Sequence, residues 1–168
     1  MHCIIGSGPA GVACAKALLA RGTTVLMLDA GIELENDRAQ IARKLSCEEF
    51  SDWNADEINS LKGDLAATAK GIPLKMLFGS DFPYRETEEK IPWRGNGIDF
   101  RPSLALGGLS NVWGAATLPY RDADISDWPI KIPDLAPHYR AAAEIMGLAG
   151  QRDDLEEMLP LYSENPQP

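Results

Sequence analysis

The sequence predicts an α/β fold built on parallel strands, and three features of its first 31 residues carry that prediction. An apolar run, Cys3-Ile4-Ile5, leads directly into Gly6-Ser7-Gly8-Pro9-Ala10-Gly11. An Ala-rich stretch follows and stops at Arg21-Gly22. A second apolar run, Thr24-Val25-Leu26-Met27-Leu28, then closes on Asp29. Strand, tight turn, helix, strand and acid, in that order, make one βαβ unit.

Each element has its own reason. Both apolar runs lack alternation, the pattern of parallel strands buried on two faces. The first Gly permits the tight turn, and the second lets a diphosphate approach bare main chain. The third lets the helix pack closely on the strand. Pro9 suits a first helical turn, where its missing N–H costs little. Ala10, Ala13, Ala15 and Ala17 are small helix formers fit to lie on a sheet. Arg21-Gly22 supplies a cation in the last turn and a left-handed cap. Asp29 stands 23 residues after Gly6, where an acid would accept from ribose hydroxyls. The start of a Rossmann-like dinucleotide-binding fold follows from this order. NAD and FAD both remain open on these residues, as does a ligand-free βαβ start with Asp29 as a solvated strand end.

Composition narrows the class. The 168 residues are 45% apolar and 24% charged, as in a soluble globular protein with a real core. No apolar run reaches membrane-spanning length, and no basic region followed by an apolar stretch directs export. Cys3, Cys14 and Cys47 are odd in number and form no C-x-x-C, which fits buried or free thiols in a reducing compartment; the expected location is the cytoplasm. Sixteen basic against 25 acidic residues leave a net charge of −9, a poor match for nucleic acid. The acid lies mainly in residues 33–64 and 153–164, read as solvated faces.

Residues 33–70 carry Ile41, Leu45 and Phe50 at loosely helical spacing and predict one or two amphipathic helices, broken near 51–54. Pro73, Gly79, Pro83, Pro92, Gly95 and Gly97 argue against long regular elements in 71–97. Phe78, Phe82, Tyr84 and Trp93 are expected to pin that excursion to the body. A short strand is expected over 99–106, and a helix over 135–146 stopped at Gly147.

The second informative stretch is Leu106-Gly107-Gly108-Leu109-Ser110-Asn111-Val112-Trp113-Gly114. Paired glycines after a strand let a planar or phosphorylated ligand lie on bare backbone. Ser110 and Asn111 add short polar groups, and Trp113 a flat apolar wall. A Gly-rich turn with a core Trp fits the same residues equally well. Together with Ile4 to Gly11 and Leu28-Asp29-Ala30-Gly31, the stretch resembles the glucose–methanol–choline family of FAD-dependent oxidoreductases. Asp127-Trp128-Pro129 and Asp134-Leu135-Ala136-Pro137-His138-Tyr139 are similar to the segment that follows in bacterial sugar- and alcohol-oxidising members.

The resemblance implies FAD as cofactor, with Gly6, Ser7, Gly8, Pro9, Ala10 and Gly11 at the pyrophosphate and Asp29 and Ala30 at the ribose. Gly107, Gly108, Ser110, Asn111 and Trp113 would lie near the flavin. Some members attach the flavin through a His where this chain has Val112, so non-covalent binding is expected. It also implies a later substrate-binding sheet and a catalytic His paired with His or Asn, none of which is found here. His2 and His138 are expected at the surface, and no catalytic or metal-binding residue is assigned. The expected organisation is an FAD-binding portion over 1–150: the βαβ unit over 1–31, a helical and irregular insertion over 32–98, and the glycine loop and helix over 99–150. Residues 151–168 would be an acidic linker or the start of a further region.

Three functions follow. The first is the FAD-binding part of an oxidoreductase acting on CH–OH groups of a small alcohol or sugar, with an incomplete sheet marking an N-terminal portion or truncated product. The second is a non-catalytic nucleotide-binding module that needs a partner chain. The third is an NAD(P)-dependent dehydrogenase domain.

Overall fold

Two parallel strands, β1 (His2–Ile5) and β2 (Val25–Leu28), are joined by helix α1 (Pro9–Ala20). Cys3 pairs with Leu26 and Ile5 with Leu28, and the His2 N–H donates to the Thr24 carbonyl just before β2. These coordinates are a computed structural model describing residues 1–63, 74–92, 94–95, 97, 101–163 and 166. Pro9 opens α1, as its fixed φ favours, and Gly22 beyond its end has φ +72°. Arg21 lies at the C-cap itself, so the last turn of α1 carries no cation.

The expectation that both strands are buried is corrected. Ile4, Val25 and Met27 are half-buried on the face that α1 covers. Cys3, Ile5, Leu26 and Leu28 point the other way and are exposed, Ile5 to 87%. A two-stranded sheet with one helix has only one covered face. Cys3, Cys14 and Cys47 are all free and exposed.

After β2 the turn 29–31 leads to Ile32, which forms an isolated parallel bridge with Ala105. The Ile32 N–H donates to Leu104 O and Ile32 O accepts from the Leu106 N–H. Of the strand expected over 99–106, this bridge is the part found among the described residues. Residues 64–70 of the amphipathic stretch, Trp93, and residues 99–100 lie outside them.

The insertion forms α2 (Asn36–Ser46) and α3 (Ala55–Lys62), with a 3-10 turn (Phe50–Asp52) between. The break falls where expected because Asn54 caps α3, its side-chain oxygen accepting from the Asp56 and Glu57 N–H groups. Lys44 donates to both Glu57 oxygens, linking the two helices. Farther on come a 3-10 turn (Phe82–Tyr84) and the short α4 (Thr87–Lys90). Phe82 is 3% exposed and the Tyr84 hydroxyl donates to Lys75 O, so these two aromatics do pin the excursion, whereas Phe78 stays partly exposed. Ser103 Oγ donates to Pro83 O, tying this turn to the segment ahead of the second glycine pair. At Gly63 and Gly79, both with positive φ, the backbone crosses itself: a Cβ on either would fall 2.5 Å from the other's main chain. Arg38 Nη1 donates to Ser60 O and Phe78 O beside the crossing.

Two compact units result, Met1–Gly114 and Ala115–Pro168. The second contains α5 (Ile132–Met146), which ends at Gly147 with φ +60°. It starts earlier than the expected 135, because Pro133 fits a first helical turn and Asp134 accepts from the Lys131 N–H. Tyr139 of α5 stacks on Tyr162 with ring centroids 5.0 Å apart, and its hydroxyl accepts from the Tyr120 N–H. No helix among the described residues is long and apolar enough to cross a membrane.

Candidate functional site

The two glycine motifs meet within the first unit. Gly6 adopts φ +93°, a region that favours glycine, while its N–H donates to Leu28 O at the end of β2. Gly8 is the extended residue that opens α1. Gly11 has no room for a side chain: a Cβ there would stand 2.1 Å from Gly6 O. At Gly8 a Cβ would meet only Gly107 O, at an ordinary 3.7 Å. The turn's shape therefore needs Gly11, and Gly6 for its positive φ, whereas Gly8 would tolerate a Cβ in ordinary contact with Gly107 O. Pro9 has no N–H, and the Ala10 and Gly11 amides belong to a first turn that offers no intrahelical acceptor.

The second loop arrives through the Ile32–Ala105 bridge. Gly107 (φ +83°) and Gly108 (φ +62°) then turn the chain into a 3-10 segment, Gly108–Asn111. Gly108 approaches Gly8 so closely that a Cβ on it would lie 3.8 Å from the Gly8 Cα. Expected as ligand-facing groups, the Ser110 and Asn111 side chains brace this loop from within. Ser110 Oγ donates to Gly107 O (2.6 Å), and Asn111 Nδ2 donates to Leu106 O (2.9 Å) and Gly108 O (2.7 Å). Val112 is buried, and Trp113 is partly exposed with its carbonyl accepting from Lys75 Nζ.

Asp29 faces the first turn. Its Oδ2 accepts from both the Ser7 N–H and the Ser7 hydroxyl at 2.7 Å, and its Oδ1 accepts from the Gly31 N–H at 2.8 Å, closing the turn that contains the exposed Ala30. Loss of water pushes the carboxyl up, but the hydrogen bonds from Ser7 and Gly31 outweigh it and hold the group below its ordinary value. A carboxylate has about four lone-pair sites, so room for a further donor remains.

Ser7, expected at the pyrophosphate, also makes a long-range link that sequence reasoning missed. Its Oγ accepts from the Gly107 N–H at 2.8 Å while donating to Asp29. No local signal announces a contact 100 residues away. His2 and His138 are both exposed. Two hollows of about 500 and 740 Å³ lie in the insertion, one lined by Glu35, Arg38 and Ser80 among others, the second by Tyr84, Arg85 and Arg94 among others. Neither is lined by the glycine loops. No cluster of His, Cys, Asp or Glu suited to a metal occurs among the described residues.

No protein-family model matches the chain, and no solved structure matches it. The chain is similar to 6'''-hydroxyparomomycin C oxidase of Streptomyces lividus, with 24% identity over 160 residues. That alignment covers 88% of this chain but 23% of the oxidase, so the chain spans about a quarter of that relative's length. The relation is a distant one.

Proposed function

We propose that this chain is the FAD-binding portion of an oxidoreductase that oxidises CH–OH groups of alcohols or sugars, of the glucose–methanol–choline type. The observation that carries the reading is the convergence of two glycine loops, with Gly107 N–H on Ser7 Oγ and Gly108 against Gly8. A single glycine turn would serve any dinucleotide. A second bare-backbone loop beside it fits a cofactor with both a diphosphate and a broad ring. The distant relative is by name an oxidase, which supports an oxidoreductase.

The residues present fit the group. The side-chain-free main chain at Gly8 and the first-turn amides of α1 suit a diphosphate, which the helix dipole also favours. Asp29 retains acceptor capacity for a ribose hydroxyl. Gly107 and Gly108 present main chain rather than side chain to the ring, and Trp113 lies next to them in sequence as an apolar surface. When bound, FAD supplies the acceptor for a hydride from the carbinol carbon. A base that takes the substrate hydroxyl proton comes from outside the site described here, since both histidines are exposed and outside the glycine loops. Val112 offers no atom for a covalent flavin link, so the binding is non-covalent.

The exposed face of Cys3, Ile5, Leu26 and Leu28 favours a second reading, a module completed by a partner chain. Titration of the purified chain with FAD, followed by calorimetry and the flavin spectrum, tests both. Binding by the chain alone, abolished by Gly8→Val, is the expected outcome. Colour that appears only on mixing with a second protein would favour the partner-dependent module, and heat with NAD(P) but none with FAD would favour a nicotinamide dehydrogenase. Folded chain with no heat for any of these would overturn the proposal.

A further inference from the structure

Asp29, Ser7, Gly107, Ile32 and Gly31 lie on one closed ring of hydrogen bonds and chain. From Asp29 the ring runs to the Ser7 hydroxyl, on to the Gly107 N–H, back one residue to Leu106, across to Ile32 O, and through Gly31 to Asp29 again. Apart from the local Gly31 to Asp29 bond, each hydrogen bond of the ring joins segments far apart in sequence. We infer that Asp29 and Ser7 are a positioning pair that latches the second glycine loop onto the first, and that Asp29 governs cofactor affinity chiefly through this latch.

The chemistry of the hydroxyl carries the argument. Ser7 Oγ owns one proton and two lone pairs. A carboxylate only accepts, so Asp29 Oδ2 at 2.7 Å claims that proton. The lone pairs are thereby left for the Gly107 N–H at 2.8 Å, and the negative charge strengthens the hydroxyl as an acceptor. Gly107 has little choice of another arrangement, because its own carbonyl is held by Ser110 and its φ is +83°. The other carboxylate oxygen holds Gly31, the residue before the Ile32 bridge that delivers the loop. One side chain thus braces the second loop at both of its attachments. A residue whose task was only to receive a ribose hydroxyl would not need to spend both oxygens inside the fold.

The effect on cofactor rests on the FAD reading above, whereas the ring itself does not. The test is therefore made on the full chain with and without FAD. Amide hydrogen exchange of Gly107 and Gly31 is followed by NMR in the cofactor-free protein, with the amides of α2, in the same compact unit, as the reference for folding. Ser7→Ala and Asp29→Asn should each speed Gly107 exchange about tenfold or more, the scale of a lost hydrogen bond to a charged group, and leave α2 unchanged. Ser7→Thr, which keeps the hydroxyl, should restore protection. The double variant should be little worse than the worse single one, because both remove the same link. Asp29→Glu separates the roles: it keeps a ribose acceptor but is a methylene too long for the ring, so the latch expects faster Gly107 exchange and weaker FAD binding.

Wild-type Gly107 protection in both Ser7→Ala and Asp29→Asn would overturn the latch whether or not FAD binds. Unfolding of the whole chain by Ser7→Ala would overturn it as well, since a latch is local. Failure of the wild-type chain to bind FAD would instead count against the proposed function and leave the exchange result standing.

Discussion

The glycine cradle and the insertion that follows it are held together by different means. In the cradle, shape comes from backbone: the φ of Gly6, the contact of Gly11 with Gly6 O, and hydrogen bonds converging on Asp29. One face of its strands is exposed, with Ile5 and Leu28 pointing outward. In the insertion and the segment that returns from it, Leu45, Phe82, Pro83, Ala105 and Val112 are buried, and ion pairs such as Arg85 with Glu35 bind the turns. Geometry is set locally in the first region and by burial in the second. A backbone turn can therefore be closely defined without a core of its own beneath it.

Five substitutions sharpen or break this contrast. The largest effect is expected for Phe82→Ala, which removes a buried ring and should cost about 3–5 kcal/mol in urea unfolding. A cost under 1 kcal/mol would remove the insertion's claim to a core. Gly11→Ala comes next, at about 3 kcal/mol, since the new methyl meets a main-chain oxygen that cannot swing aside. Gly8→Ala, with ordinary contact distances, should leave the same unfolding curve nearly unmoved.

Charge gives a smaller, pH-dependent effect. Burial alone would raise the Glu35 carboxyl, but the hydrogen bond from Arg85 helps outweigh it and brings the group from 4.5 to about 2. The folded value is the lower one, so the pair stabilises fully above the unfolded value and loses that contribution as pH falls through about 2. Glu35→Gln should lower stability at neutral pH by under about 1 kcal/mol, since both partners are partly exposed. The two unfolding midpoints should converge in strong acid. A similarly small effect belongs to Ile5→Ser, within about 0.5 kcal/mol, as Ile5 is already 87% exposed. A much larger loss would mean that another surface covers this face in solution.

The same contrast explains what was legible in the sequence. The βαβ order, the break before Asn54 and the stop at Gly147 follow from turn and cap chemistry among near neighbours. The exposure of Ile5 and Leu28 was not legible, because an apolar run reads alike whether or not something covers it. Likewise, that Ser110 and Asn111 donate to their own loop's carbonyls was not legible, because a short polar side chain reads alike whether it faces inward or outward. Ser7's link to Gly107 depends on how Ile32 pairs with Ala105, a register that no local pattern encodes.

Where Gly63 and Gly79 touch, two points 16 residues apart in sequence meet at one doorway, riveted by Arg38. Anything spliced between those two positions has its ends anchored in advance. Doubling the length of such a splice would add only about 0.6 kcal/mol of closure entropy. The doorway is thus a natural graft point, where a reporter or a foreign domain can be hung while the glycine cradle keeps its form.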